Sequence, residues 1–152
     1  MWKLKNYRLG FDWHGLLMVV SFILPYVIWI FIPTKDEVLR EGSKTVIIDI
    51  IKVATELIMI FLTMFIINET RNKKVMKLFM YILLIPKAFY YICWIILYFG
   101  VISKTCVLIV CIAPCITFML FSLSRKNLMA FSATLAYTIC EIVYTTINFI
   151  IL

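Results

Sequence analysis

Hydrophobic residues in this chain gather in long, uninterrupted runs, and most charged residues are confined to the short segments between them. An α-helix needs about 20 mainly apolar residues to cross the hydrocarbon core of a bilayer. Five runs reach or approach that length, at about residues 13–32, 46–67, 78–99, 106–123 and 128–152. Transmembrane β-strands would instead show about 10 residues of alternating polarity, and lipid-exposed backbone tolerates only helices or closed barrels. The pattern predicts an all-α, polytopic membrane protein, with residues 1–152 forming one domain that is a bundle of five transmembrane helices.

Two of the runs have competing readings. The first follows Lys3, Lys5 and Arg8, as a signal peptide's apolar region would, but it exceeds the roughly 7–15 residues of such a region. It ends in Ile32-Pro33-Thr34-Lys35 with no small-x-small cleavage site, so a retained helix is expected. The fourth is short, contains Pro114 and is separated from the third only by Gly100 to Thr105. A re-entrant pair with the third is the alternative, yet Val107 to Phe121 carries no charge, and a full span is expected.

Composition agrees with the pattern: 64% of residues are hydrophobic, against about 45–50% in a soluble domain. The net charge of +7 falls in the loops and sets an orientation, because cytoplasmic loops collect Lys and Arg. Lys3, Lys5, Arg8, Arg71, Lys73, Lys74, Lys77, Arg125 and Lys126 make nine on one side. Lys35, Arg40, Lys44 and Lys104 make four on the other. The amino terminus is therefore expected in the cytoplasm and the carboxyl terminus outside. The partner of the basic loops is the anionic leaflet of the lipid bilayer, with no nucleic acid expected. Richness in Ile, Lys and Asn suggests an AT-rich bacterial genome, and hence a bacterial cytoplasmic membrane. Trp2, Tyr7, Phe11 and Trp13 fit an interfacial belt, with room for a short amphipathic lead-in before Gly10. In the first connection, a short helix would set Glu37 one turn from both Arg40 and Glu41.

The candidate chemistry lies in ionisable residues inside the runs. Asp49, Lys52 and Glu56 fall in the second, Lys87 in the third and Glu141 in the fifth. Each costs at least a few kcal/mol at mid-bilayer, so such residues face the bundle interior and pair. At 100° per residue, Thr45, Asp49, Lys52, Glu56 and Thr63 share an arc of about 60°. Lys87, Tyr91, Trp94 and Tyr98 share a similar arc, and Thr134, Tyr137, Glu141, Tyr144, Thr145 and Asn148 cover about 100°. Three polar stripes turned toward one another would place Glu56, Lys87 and Glu141 near mid-membrane. The site they would form opens outward and is capped by apolar packing on the inner side. Three acids against two lysines leave one uncompensated negative charge, so either Glu56 or Glu141 is expected to hold a proton near neutral pH.

Pro25, Pro86 and Pro114 each remove a backbone N–H and free the carbonyl four residues earlier, at Ser21, Ile82 and Val110. Cys111 and Cys115 stand one turn apart, but with Cys93, Cys106 and Cys140 they read as small packing residues. Asp12 suits a helix N-cap, with the single histidine, His14, at the interface. The chain has no nucleophile elbow, metalloprotease helix, phosphate loop or dinucleotide fingerprint. The expectation is thus a protein that is not an enzyme, with no cofactor, no metal and no catalytic residue. A transport or channel-like component leads. The alternative is an accessory, immunity or sensor-type subunit that docks a membrane protein partner, or a second copy of itself, through its polar stripes.

Overall fold

In a computed structural model, residues 6–32, 45–70, 72–101 and 103–150 are described. The first connection, with Glu37, Arg40 and Glu41, lies outside the described residues, as do Lys3, Lys5 and Arg71. Each apolar run becomes a helix: α1 over Trp13–Phe31, α2 over Val46–Phe65, α3 over Lys73–Tyr98, α4 over Lys104–Ser124 and α5 over Leu128–Thr145. A π-helical turn, Thr146–Ile150, extends α5.

Capping chemistry explains the boundaries. Asp12 accepts from the His14 N–H, Asn72 from that of Lys74 and Asn127 from that of Ala130, each occupying a donor that the first helical turn leaves free. The cap at Asn72 starts α3 at Lys73, earlier than its apolar run begins. Gly100 adopts φ 80° after α3, and its N–H and that of Val101 bond back to Leu97 and Ile96, a Schellman ending. The same ending closes α4, but there Lys126 takes the left-handed conformation, with φ 52°. Its carbonyl accepts from Asn68 Nδ2 at 2.8 Å and Tyr7 Oη at 3.1 Å.

The amphipathic lead-in is a strand, β1 (Tyr7–Leu9), paired antiparallel with β2 (Ile66–Asn68), where α2 ends before the predicted Ile67. Asp12 N–H then bonds to Met64 O at 2.8 Å, fastening the start of α1 to the end of α2. Gly15 permits this approach, since a Cβ there would stand 2.6 Å from the Thr63 carbonyl oxygen. We call this the basal end of the molecule and the opposite one the distal end.

Four helices are long and apolar enough to cross a membrane: α1, Lys74–Tyr98 of α3, α4, and α5 continued to Phe149. The second has the length but not the composition, because Asp49, Lys52 and Glu56 interrupt it. The five-span expectation is therefore supported for four helices. Close helix pairs run α1 with α2, α2 with α5, α5 with α4, and α4 with α3. The fourth helix is the most enclosed of the candidate spans, and Val110, Cys115, Thr117, Phe118 and Phe121 are buried along it. Its Pro114 leaves it continuous. Apolar side chains such as Leu17, Leu57, Ile85 and Ile139 face outward, while Thr117, Thr134 and Glu141 lie inside, the arrangement a lipid solvent demands.

Candidate functional site

Two of the three polar stripes meet. On α2, the arc bearing Asp49, Lys52 and Glu56 turns toward α5, and the opposite face presents Ile47, Ile50 and Leu57 to the exterior. Lys52 Nζ lies 3.6 Å from Glu141 Oε2 on α5 and 3.9 Å from Asp49 Oδ1 one turn back. The same ammonium sits 4.0 Å from the centroid of the Tyr144 ring, a cation–π contact. Further toward the distal end, Asn148 Nδ2 donates to Thr45 Oγ1 at 2.9 Å, joining the last turn of the structure to the start of α2.

Glu141 is 6% exposed. Its Oε1 accepts a long hydrogen bond, 3.4 Å, from Thr145, and its Oε2 is buried and accepts none. Such a carboxylate is under-satisfied, because a buried charge needs pairing and hydrogen bonds together. Glu56 is half-buried, and Lys52, one turn before it, attracts it from beyond ion-pair distance.

These groups surround a cavity of about 300 Å³. Lys52, Glu56 and Met59 of α2 form one wall, Tyr137 and Glu141 of α5 the next, and Phe22 and Tyr26 of α1 with Cys111 and Pro114 of α4 the remainder. A second cavity of about 150 Å³ lies beside it, bounded by Trp29, Trp94, Leu97 and Tyr144. Tyr26, Lys52, Val110, Cys111 and Glu141 line both. Of the residues expected at the site, Asp49, Lys52, Glu56, Tyr137, Glu141, Tyr144 and Asn148 thus fall in one neighbourhood. Lys52 reaches Asp49, Glu141 and Tyr144, Asn148 joins the distal edge, and Glu56 and Tyr137 contribute through the wall.

The third stripe turns elsewhere. Lys87 lines neither cavity and pairs with no described residue. The tyrosines of α3 bind the backbone of α1 instead: Tyr91 donates to Ser21 O at 2.5 Å, Tyr90 to Phe22 O at 2.7 Å and Tyr98 to Pro25 O at 3.3 Å. The Ser21 carbonyl is the one that Pro25 strips of its helical donor, so Tyr91 supplies the missing hydrogen. The expectation that Lys87 and Tyr91 join Glu56 and Glu141 is corrected on this point. Tyr91 serves the carbonyl that Pro25 frees on α1, and Lys87, on the same helix, lines neither cavity.

Sequence reasoning missed two parts of the arrangement. Tyr26 and Cys111 enter the cavity from helices without a polar stripe, so no periodic signal marks them. At the basal end, Arg125 is a buried partner of Asp12, not a lipid-facing loop charge. Its guanidinium also lies 5.0 Å from the Phe121 ring centroid. Asn127 Nδ2 donates to Leu62 O at 3.1 Å and Ile66 O at 2.8 Å. Arg125 was visible in the chain as a basic residue of the connection before the fifth run, but its burial was not.

Neither the family models, the curated proteins nor the solved structures compared with this chain yield a match.

Proposed function

We propose that the protein is a small multi-pass membrane protein that acts as a transport or channel-like component, taking up a polar solute or a proton at the cavity between α1, α2, α4 and α5. The observation that carries this reading is the grouping of Lys52, Glu56 and Glu141 around about 300 Å³ of space. Ionisable residues inside membrane helices are costly and mark solute or proton pathways when they border a cavity.

In this reading α2 is a fifth span. Its polar arc is sheltered by α5 and its outward face is apolar, which lowers the cost of its three charges. Its two ends also meet the same helix ends as those of its neighbours: Thr45 meets Asn148 distally, and Leu62 meets Asn127 basally. Five spans put the amino terminus on the cytoplasmic side of a bacterial membrane, following the distribution of basic residues, and the carboxyl terminus outside. The Asp12–Arg125 network then closes the cytoplasmic end, and the cavity leans outward.

Proteoliposomes containing a pH-sensitive dye test the reading. Under an imposed membrane potential, the native chain is expected to pass protons faster than the Glu56→Gln and Glu141→Gln variants. Native flux equal to that of empty vesicles, or unchanged in both variants, would remove it. A second reading, docking of a membrane partner, has one observation in its favour: Lys87 lies half-buried on α3, away from the cavity and without an ion-pair partner among the described residues.

A further inference from the structure

With the transport reading as premise, we propose that the two adjoining cavities bind a small organic monocation with an aromatic or branched apolar body, its charge held between Glu56 and Glu141. Charge arithmetic points to a cation. Glu56 and Glu141 line the larger cavity against a single ammonium, Lys52, whereas Asp49 and Lys87 line neither cavity. That ammonium is already engaged by Glu141 at 3.6 Å, by Asp49 at 3.9 Å and by the Tyr144 ring at 4.0 Å. An anion would have to draw Lys52 away from two carboxylates and settle beside a third. A cation meets Glu56, which Lys52 attracts only from beyond ion-pair distance, and the buried Oε2 of Glu141, which accepts no hydrogen bond.

The walls select the class of cation. Metal ions of hard character require six or more oxygen ligands. Here the cavities are lined, besides the carboxylates, by Phe22, Tyr26, Phe118 and Tyr137 in the larger and by Trp29 and Trp94 in the smaller. Aromatic faces attract weakly hydrated organic cations and remain apolar enough to bury the rest of the molecule. A volume of about 300 Å³ with about 150 Å³ beside it suits a ligand of roughly ten to twenty heavy atoms, at the small end of known ligand pockets. Glu141 lies on the wall that both chambers share and Glu56 on the larger chamber alone, so the charge would sit in the larger chamber between the two and the apolar body would fill the remaining space.

The probe is benzyltrimethylammonium, whose charge is independent of pH, with benzenesulfonate as the anionic counterpart. Equilibrium dialysis uses the purified full chain in non-ionic detergent micelles, with binding to empty micelles subtracted. Saturable retention of the cation and none of the sulfonate is expected. Glu56→Gln is expected to weaken the cation about tenfold, while Glu56→Asp retains most of the affinity and neither shifts the melting curve. Equal retention of cation and anion by the native chain overturns the proposal without any variant, and so does a Glu56→Gln protein that binds as the native one does. Loss of cation binding with proton flux intact removes the ligand class alone. Loss of both removes the transport reading beneath it.

Discussion

Asp12 and Glu141 are acids buried to nearly the same degree, 7% and 6% exposed, yet their surroundings differ in kind. Asp12 caps α1, pairs with Arg125 in direct contact and stands within a basal network that ties Asn127 to one carbonyl of α2 and one of β2 and Asn68 to the α4–α5 turn. Glu141 has one ammonium at 3.6 Å, one long hydrogen bond and an oxygen with none. The space beside Asp12 is about 10 Å³, that beside Glu141 about 300 Å³. A buried charge whose every oxygen is engaged clamps helices together. A buried charge left partly unengaged beside a cavity keeps capacity for something that arrives later. In the proposed reading the basal end is structure and the middle of the bundle the site.

The sharpest way to break this contrast is to remove one partner from each region. Arg125→Ala removes the buried cation in direct contact with Asp12 and is expected to lower stability by about 3 kcal/mol, visible as an early melt by circular dichroism in detergent. Glu56→Gln removes a carboxylate that Lys52 attracts only from beyond ion-pair distance and is expected to cost under about 0.5 kcal/mol. Equal losses from the two variants would erase the distinction. A smaller effect probes the geometry that brings the basal network together. Gly15→Ala drives a methyl against the Thr63 carbonyl, and overpacking of this kind costs about 1–3 kcal/mol. A melt matching the native one would show that α1 and α2 do not approach so closely.

The smallest effect tests a third region, the bend of α1. Tyr91→Phe should cost about 0.6–1 kcal/mol, the range for an interhelical hydrogen bond in a membrane protein. The same change made in a Pro25→Ala background should cost almost nothing, because residue 25 then donates its own N–H to Ser21. A double-mutant cycle of thermal melts with no coupling would show that Tyr91 does not act through that carbonyl. A companion measurement on Lys87→Met is expected to leave proton flux in vesicles unchanged, since Lys87 stands outside the cavity.

Much of the architecture was legible because lipid imposes simple rules. The apolar runs located all five helices, and Asp12 was legible as an N-cap because a short acceptor before an apolar run has little other use there. The convergence of Asp49, Lys52 and Glu56 with Glu141, Tyr144 and Asn148 followed from helical periodicity. The role of Tyr91 was half legible: Pro25 identified Ser21 as a carbonyl in need of a donor, but nothing named the donor. Tyr26 gave no signal and Cys111 was legible only as a packing residue one turn from Cys115, because neither belongs to a polar stripe. The strand pairing of Tyr7–Leu9 with Ile66–Asn68 was equally silent, since three residues are too few to show alternation.

By itself, the order of residues determined which segments become helices, where caps start them and which side of each helix is polar, because these depend on the chain within a few turns. Only the tertiary structure decided which polar sides face one another. Helix rotation is set by packing against neighbours: Gly15 lets α1 close on α2, and the α3 tyrosines lock onto α1. That rotation left Lys87 outside the cavity and brought Lys52 against Glu141. It also turned Arg125 from a loop charge into a buried partner of Asp12.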